Sequence, residues 1–521
     1  MIRFNEFKQL HDNRHRDNNI NDNIFLNQIN VQLIDKLTKQ LKTNKAAARD
    51  GLTAEHLQNA HPSIIIHLKF LFHMLLIHRY DPKDFASGVI IPVPKENKNN
   101  KLHLLDNYIP ITLSQIIAQL FEILLLSSFS KNMETNDLQF GFKKGLGSRN
   151  ALFMFNHVVE YFNSRGSNIY IASMDATKAF DRVNHYKLFT ILHEKGLPNI
   201  FIDLIINWYT KLHASIKWCD AFSDIFDIKS GVRQGGILSP ILFNIYVDRM
   251  LNNLKRSKLG CSIFDKYIGC IMYADDLLLL SASVRDLQNM LNICCDTTSE
   301  LGITFNPAKS KCLFVGPDQY VKPAKMYVNN SELVWTDNIK YLGVVFQSGK
   351  SLGIDLSECR KKFFSAVNNI LSKTKFCSEI VRLHLLESYC LPILSYALES
   401  IILDKSQLRQ LNSWWNSVYR TVFNYNKWDS VKELIYYLGR IDLLHIVQMR
   451  RLLFFKDCLS NFHRNCSVYN IMLNFSYRSY CAFLCHKNLI DLTWSVGSIK
   501  CTIFNNFSNV ISQSQKVDFC L

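Results

Sequence analysis

The feature that most constrains this chain is a pair of adjacent carboxylates, Asp275 and Asp276, set between two apolar runs. The segment YIGCIMYADDLLLL (267–280) is typical of two buried strands that the aspartates separate. Placing two like charges side by side in a buried hairpin is costly unless something compensates them. A bound cation would do so. The alternative for an isolated Asp-Asp pair is a polar turn between two core strands.

A third carboxylate and a glycine-rich segment favour the cation. Asp175 ends an apolar strand of its own, NIYIASMD (168–175), and could supply a further ligand. The segment GVRQGGILSP (231–240) places three glycines beside Arg233 and Gln234, which lets a planar, charged ligand approach the backbone closely. Its Ser-Pro pair is typical of the start of a helix. Together these segments indicate contact with a phosphate or a nucleotide.

The charge balance indicates a polyanionic partner. The 521 residues include 60 Lys and Arg against 44 Asp and Glu, a formal net charge of +16. A hydrophobic content of 48% excludes a disordered chain, and a broad positive field favours nucleic acid or an anionic membrane surface. The basic residues that we expect to follow a phosphate backbone are spread along the chain, at Lys143-Lys144, Arg149, Arg360-Lys361-Lys362 and Arg450-Arg451.

Secretion, a membrane span and a zinc finger are all disfavoured. The N-terminus lacks the apolar region of a signal peptide. The most apolar long stretch, residues 63–78, is interrupted by His67, Lys69 and His73, so we predict a buried helix rather than a membrane span. The 15 cysteines form no CxxC pair, and the segment from Cys481 to His486 offers too few ligands for zinc. We therefore expect reduced cysteines.

Changes of pattern divide the chain into three predicted regions. Residues 1–60 are polar and helix-prone, residues 61–346 mix helices and strands without strict βαβ alternation, and residues 347–521 are largely helical. Prolines in GVIIPVP (88–94) predict a strand near a sheet edge. The expected fold class is α+β, with a sheet that carries helices on one face.

Three blocks in a fixed order resemble a known family. DATKAFDRVNH (175–185), GVRQGGILSPILFNIYVD (231–248) and YADD (273–276) resemble motifs A, B and C of reverse transcriptases, most closely those of non-LTR (LINE-type) retrotransposons. Further similar motifs extend the resemblance over residues 45–346. It implies a right-hand polymerase, with the first family motif in residues 1–60. Fingers and a palm, whose antiparallel sheet carries the active site, would follow in 61–346, and a helical thumb in 347–521.

The resemblance also implies an activity and a set of site residues. The activity is RNA-directed DNA polymerisation, in which a DNA primer is extended on an RNA template by two-metal nucleotidyl transfer. Asp175, Asp275 and Asp276 would hold two Mg²⁺ ions, with Mn²⁺ as a substitute, and Lys309 would protonate pyrophosphate. Phe180 would act as a steric gate against ribonucleotides. The residues implied in nucleotide or template binding are Lys95, Ala176, Phe180, Arg233, Gln234, Gly235 and Tyr273.

The expected partners are an RNA template, a DNA primer or nicked target DNA, and deoxynucleoside triphosphates, without a membrane. The expected location is intracellular, in the nucleus at the point of integration, with a cytoplasmic RNA–protein particle as the alternative. We expect no upstream endonuclease domain in this chain, because few residues precede the first motif. Either the chain is a fragment of a longer element protein or the nicking activity comes from elsewhere. Structural roles are expected for Asp181, Asn184 and His185.

Two positions depart from the family pattern and suggest a second function. Ile109 lies in NYIPITL (107–113) where an arginine is common, and Ala48 lies where a glycine is usual. An isoleucine cannot replace a guanidinium group on a phosphate. The alternative is therefore a catalytically weak or silent RNA-binding remnant of a mobile element. A group II intron maturase is disfavoured, because those enzymes usually have proline at the position of Arg233.

Overall fold

The computed structural model describes residues 26, 28–95, 103–318 and 323–460, and also residues 498, 500–502 and 505. The chain forms two compact units. The first unit comprises Met1–Phe142, Ala176–Arg256 and Asn292–Asn306, and the second comprises Lys143–Asp175, Ser257–Leu291 and Pro307–Leu521. The three regions predicted from the sequence stay a prediction. The Cys481–His486 segment lies outside the described residues.

The strands are numbered along the chain: β1 (Ser87–Pro94), β2 (Tyr108–Ser114), β3 (Ile169–Met174), β4 (His213–Trp218), β5 (Ala221–Phe222), β6 (Phe226–Asp227), β7 (Ser262–Ile263), β8 (Lys266–Tyr267), β9 (Cys270–Tyr273), β10 (Asp276–Ser281), β11 (Lys311–Val315), β12 (Met326–Val328), β13 (Ser331–Trp335), β14 (Asn338–Tyr341), β15 (Val344–Gln347) and β16 (Gly353–Asp355). The α-helices are α1 (Val31–Lys39), α2 (Ala54–Gln58), α3 (Ser63–His78), α4 (Ile116–Phe129), α5 (Ser148–Asn163), α6 (His185–Glu194), α7 (Asn199–Thr210), α8 (Ser239–Ser257), α9 (Val284–Leu301), α10 (Ser357–Lys373), α11 (Glu379–Tyr389), α12 (Leu391–Ser395), α13 (Lys405–Phe423), α14 (Lys432–Tyr437) and α15 (Leu443–Ser460).

The sheet of the first unit contains β1, β2, β4, β5 and β6. Strands β1 and β2 form an antiparallel hairpin, and β1 pairs in parallel with β4. Strand β1 lies between the edge strand β2 and β4, which agrees with the prediction that it lies near a sheet edge. Its pairing with β4 ends at Ile90. Pro92 and Pro94 therefore follow the last pair of that ladder, where a missing N–H costs nothing.

Helix α3 confirms the predicted helix over residues 63–78 but is not buried all round. One face packs into the first unit through Ile65, Leu68, Phe72, Leu75 and Leu76. The other face exposes Ile66, Phe70, Met74 and Ile77. The sequence predicted burial because the stretch is mainly apolar and too interrupted by polar residues to span a membrane. Its apolar residues, however, occupy more of the helix surface than the neighbouring elements cover. No helix in the described residues is long and apolar enough to cross a membrane.

The sheet of the second unit has six strands in the order β12-β13-β11-β3-β10-β9. The central strand β3 pairs antiparallel with both β10 and β11, and β9 and β10 form a hairpin. The apolar side chains of β9 and β10 are buried, from Cys270 to Met272 and from Leu277 to Leu280. Helix α5 packs on β9 and β3. Strands β11 and β13 pair in parallel and the other pairs of the sheet are antiparallel. This mixed sheet with its helices confirms the predicted α+β class.

In the described residues from Ser357 to Ser460 the second unit is largely helical, after a small sheet of β14, β15 and β16. Helix α13 buries Leu411, Trp415, Val418 and Val422, which follow helical spacing. Helix α11 ends at Tyr389, and Pro392 lies in the first turn of α12, where proline is tolerated.

Some basic residues predicted to follow a phosphate backbone are used inside the second unit instead. The Arg450 guanidinium donates to Glu399 at 3.1 and 3.3 Å and to Ser395 Oγ at 2.6 Å. Arg451 donates to the carbonyl oxygens of Leu398 and Ile401. Arg149 pairs with Asp457 and lies over the Phe454 ring. Sequence clustering could not separate these cations from exposed ones, because it carries no information on partners.

One buried carboxyl in the first unit has no partner. Asp81 is fully buried, and within the described part of the chain neither of its carboxyl oxygens accepts a hydrogen bond. Burial raises the pKa of Asp81 to about 8, although the nearby charges of Lys211 and Arg233 act in the opposite direction. The carboxyl is therefore protonated in the folded chain at neutral pH.

We predict that Asp81→Asn raises the Tm more at about pH 8 than at about pH 5. Between these values the folded chain keeps a proton that the unfolded chain has released, so folding costs about 1.4 kcal/mol more for each pH unit. Asparagine removes this dependence because it does not ionise. Thermal unfolding at both pH values, with the exposed Asp84→Asn as control, measures the difference. Equal gains at the two pH values would contradict the prediction.

Candidate active site

Three of the predicted site residues lie together at one end of the six-stranded sheet. Asp276 is the first residue of β10, and Asp275 and Ala274 form the turn that joins β9 to β10. Ala274 has a φ of +56°, a left-handed conformation that tightens this turn. Asp175 directly follows β3, whose last residue, Met174, pairs with Leu277 of β10. The register therefore places Asp175 and Asp276 side by side, at the adjacent ends of β3 and β10.

The three carboxylates influence each other electrostatically. Burial raises the pKa of Asp276 to about 6, and the charges of Asp275 and Asp175 add to the rise. Burial also raises the pKa of Asp275, with a further contribution from Asp175 and an opposing one from a backbone hydrogen bond. Asp276 reaches solvent at its outer side, so the site is both accessible and partly removed from water. The cluster holds negative charge that a cation would neutralise.

Residues 309 and 310 support Asp175. Its backbone N–H donates to Ser310 Oγ at 3.1 Å, which fixes the chain just after β3. Lys309 Nζ lies 3.6 Å from Asp175 Oδ2, and both side chains are partly exposed. The structure thus brings the predicted Lys309 to the carboxylate cluster.

Two tyrosines lie beside the cluster. Tyr273 ends β9 and is half-buried, and burial raises its pKa, with a further contribution from Tyr396. Tyr341 is almost fully buried, and its hydroxyl has no hydrogen-bond partner among the described residues. Its pKa is raised well above the ordinary value by burial first and then by the charges of Asp276 and Tyr273. Sequence reasoning gave Tyr341 no role.

The residues present suit a divalent cation in donor chemistry. Carboxylate oxygens are the ligands that Mg²⁺ prefers, and the pKa values of Asp275 and Asp276 are raised by burial first and then by neighbouring carboxylate charge. Among the described residues, no group of three or more His, Cys, Asp or Glu side chains is gathered tightly enough to enclose a metal. Asp175, Asp275 and Asp276 therefore fit such an ion by type and charge, as neighbours rather than as a closed cage.

A second group of predicted residues lies in the first unit, around the glycine-rich segment. The N–H groups of Gly231 and Val232 donate to the carbonyl oxygens of Val183 and Phe180, at 2.7 and 2.9 Å. The Gln234 amide donates from Nε2 to Asp181 Oδ1 at 3.1 Å. The segment therefore lies against residues 180–183, the end of motif A.

Gly235 approaches strand β2 closely. The N–H of Thr112 donates to the Gln234 carbonyl oxygen at 2.7 Å. A Cβ atom at Gly235 would lie 2.4 Å from the Thr112 carbonyl oxygen, and its φ of +119° disfavours any side chain. Only glycine fits here.

Phe180 packs between two other aromatic rings. Its ring stacks on Phe243 at 4.3 Å between centroids with an interplanar angle of 14°, and meets the exposed Phe142 edge-on at 5.9 Å. The Phe180 side chain remains partly exposed. Its role as a steric gate stays a prediction.

The remaining predicted contacts differ in exposure. Arg233 is buried, and its guanidinium donates to the carbonyl oxygens of Phe85 and Ser87 and to Glu122. A direct contact with a nucleotide, as the sequence predicted, would require Arg233 to leave these partners. Lys95 is exposed, and its Nζ donates to the Asp106 carbonyl oxygen at 2.6 Å. Ala176 forms an isolated bridge with Phe305.

The predicted residues thus fall into two sets, each described within its own unit. The second unit contains Asp175, Tyr273, Asp275, Asp276 and Lys309, and the first contains Lys95, Ala176, Phe180, Arg233, Gln234 and Gly235. Sequence reasoning missed Glu122, the buried partner of Arg233. Its signal was a single acidic residue in the mostly apolar helix α4.

We predict that Gly235→Ala destabilises the first unit by about 2–4 kcal/mol, because the new methyl group clashes with backbone and the positive φ strains alanine. Urea unfolding measures the loss. Gly147→Ala is the matched control, since its Cβ atom would meet nothing within 4 Å and its φ of −156° is extended. Equal stability of the two variants would contradict the close approach to Thr112.

Comparison with known proteins identifies the domain. Residues 93–346 match the family model of reverse transcriptase (RNA-dependent DNA polymerase). The chain is 30% identical over 247 residues to the Pol polyprotein of the retrotransposable element R2DM of Drosophila melanogaster, covering 46% of this chain and 23% of that protein. It is 27% identical over 314 residues to the R2 polyprotein of Nasonia vitripennis, covering 58% and 30%. It is 24% identical over 354 residues to the polymerase of the mobile element jockey of Drosophila funebris, covering 66% and 38%.

These three relatives are longer proteins, of which the chain spans between 23% and 38%. A solved structure of telomerase from Candida albicans with a fragment of telomeric RNA matches at 12% identity and a TM-score of 0.39, covering 82% of this chain and 68% of that one. A TM-score this low adds nothing to the assignment. The family model and the relatives confirm the predicted family and the right-hand polymerase fold class. The chain therefore carries, over residues 93–346, a reverse transcriptase domain of the non-LTR retrotransposon type.

Proposed function

We propose that the chain is an RNA-directed DNA polymerase of a mobile element, which extends a DNA primer on an RNA template. The observation that carries this proposal is the cluster of Asp175, Asp275 and Asp276 at the end of one sheet in a reverse transcriptase domain. The family match supports nucleotidyl transfer in general. The identity of the primer, the template and the nucleotide belongs to the proposal.

The three aspartates would hold the divalent cations, Mg²⁺ or Mn²⁺ in its place. Bound cations would supply positive charge that activates the primer 3′ hydroxyl and stabilises the charge on the leaving pyrophosphate. Ser310 orients Asp175 by accepting its backbone N–H. Lys309, which lies 3.6 Å from Asp175 Oδ2, would carry the proton that pyrophosphate takes up.

Residues of the first unit would select the nucleotide. The partly exposed Phe180 ring, stacked on the buried Phe243, would clash with a ribose 2′ hydroxyl and so favour deoxynucleotides. Gln234 and Gly235 would line the nucleotide and the template. A rigid, closely packed backbone at Gly235 suits this role, since a misplaced contact reduces rate sharply.

Nucleic acid fits the charge of the chain. The net charge of +16 favours phosphate backbones, and on helix α10 Arg360 and Lys361 are exposed. A nuclear site of action at integration, with a cytoplasmic RNA–protein particle as the alternative, belongs to the same proposal. The second candidate function is a weak or silent RNA-binding remnant. It is favoured by Ile109, which is exposed on β2 where the family commonly has arginine.

We predict that Asp275→Asn abolishes primer extension on an RNA template with Mg²⁺, reducing the rate by about a thousandfold or more, the scale expected when a catalytic group is removed. Asp265→Asn is the matched control, because Asp265 is exposed in the same unit and asparagine tolerates its φ of +61°. Background-level extension by the unaltered chain and by both variants would leave the RNA-binding remnant as the function.

We predict that Ile109→Arg lowers the KM for the incoming nucleotide by about tenfold, since a charge-assisted hydrogen bond to phosphate contributes about 1.5–3 kcal/mol. Ile109 is 37% exposed, so the fold should accept the longer side chain. Ile111→Arg, two residues along the same strand and 36% exposed, is the matched control. An unchanged KM, or the same gain in both variants, would contradict a missing phosphate contact at position 109.

A further inference from the structure

A single carboxylate is buried in the mostly apolar helix α4. The helix reads IIAQLFEILLLSSF, and Glu122 is its only ionisable side chain. The Glu122 side chain is 4% exposed. Isolated charges are rarely buried in a core unless they are paired. The contacts of the Glu122 carboxylate therefore indicate its role.

The Glu122 carboxylate binds the segment that follows Gln234 and Gly235. Its Oε2 accepts the backbone N–H of Ile237 at 2.5 Å and that of Leu238 at 3.0 Å. These two residues directly precede Ser239, where helix α8 begins. A carboxylate at this place satisfies amide groups ahead of the first turn and interacts favourably with the helix dipole.

Glu122 also binds the residue before that segment. Arg233 Nη2 lies 3.4 Å from Glu122 Oε1, and Arg233 Nη1 donates to the carbonyl oxygens of Phe85 at 3.2 Å and Ser87 at 3.4 Å. Both charged side chains are at most 5% exposed. One carboxylate thus holds residues 233, 237 and 238, and Arg233 links them to the start of β1.

The residues between these anchors are the predicted nucleotide contacts. Between them, Gln234 accepts the Thr112 N–H through its backbone, and its side chain donates to Asp181. Gly235 lies against the Thr112 carbonyl oxygen. Any shift of residue 233 or 237 would therefore move Gln234 and Gly235.

Stabilisation of the fold does not by itself explain why the chain buries the Glu122–Arg233 pair. The desolvation of two buried charges offsets most of their attraction, so that apolar residues of similar size are often at least as stabilising. What a carboxylate provides and a hydrocarbon cannot is directional acceptance of two consecutive N–H groups. The geometry of the loop is the property that depends on Glu122.

We propose that Glu122 is a positioning residue for the incoming nucleotide: it anchors the loop of residues 233–238 and so fixes Gln234 and Gly235. The role toward the nucleotide rests on the proposed polymerase function. The anchoring of the loop does not, and it can be measured without any activity.

The test compares Glu122→Gln with the unaltered chain, using the exposed Glu134→Gln as control. Hydrogen exchange of the peptide containing Ile237 and Leu238 should accelerate by about tenfold or more in Glu122→Gln, the change that corresponds to about 1.4 kcal/mol of lost protection. In primer extension, the KM for the nucleotide should rise by about tenfold while kcat changes little, because positioning acts on binding. Glu134→Gln should change neither.

A double variant separates positioning from simple charge compensation. Glu122→Met with Arg233→Met removes both charges, so the Tm should recover relative to Glu122→Met alone, which leaves Arg233 unpaired. The Ile237 and Leu238 amides still lack an acceptor, so fast exchange and a high KM should persist. Recovery of exchange and KM together with the Tm would overturn the proposal.

The two levels of the proposal fail in different ways. Unchanged exchange in Glu122→Gln would overturn the anchoring role whatever the activity of the chain. Accelerated exchange without primer extension by the unaltered chain would contradict the proposed function, and with it the role toward the nucleotide.

Discussion

Mutual repulsion among Asp175, Asp275 and Asp276 is the constraint on which the second unit depends. The register of the sheet imposes it, because Met174 of β3 pairs with Leu277 of β10 and the residues just beyond this pair are aspartates. A hairpin turn with Ala274 in a left-handed conformation then adds Asp275 to the same end of the sheet. Buried apolar side chains hold β9 and β10 in this register. Their packing therefore keeps the three carboxylates close together despite their mutual repulsion.

The first unit solves a different problem, the rigid placement of the loop of residues 233–238. Glycine at position 235 allows contact with the Thr112 backbone, and Glu122 with Arg233 holds the loop ends. Charge here is buried and paired, whereas the carboxylate cluster of the second unit is partly exposed, with Lys309 Nζ 3.6 Å from Asp175 Oδ2. That contrast distinguishes a loop that, in our proposal, would line the nucleotide from a cluster that suits cations.

The sequence predicted the elements that local pattern determines. The apolar runs around Asp275 and Asp276, the apolar spacing of α13 and the order of the three motifs each depend on neighbours in the chain, and the α+β class and the family followed from them. Burial of Arg233 and pairing of Arg450 with Glu399 were not predicted, because such partners lie far apart in sequence. The exposed face of α3 was missed for a related reason, since hydrophobicity does not show how much surface the neighbours cover. Which site residues act in catalysis stays a prediction.

The most direct measurement of the central claim is whether the base in an RNA template decides which nucleotide is added. The unaltered chain would be given Mg²⁺, a DNA primer and RNA templates that differ only at the first base to be copied, with one deoxynucleotide supplied at a time. The account predicts that only the nucleotide complementary to that base is added at an appreciable rate. Addition that ignores the template base, or no addition on any template, would contradict it.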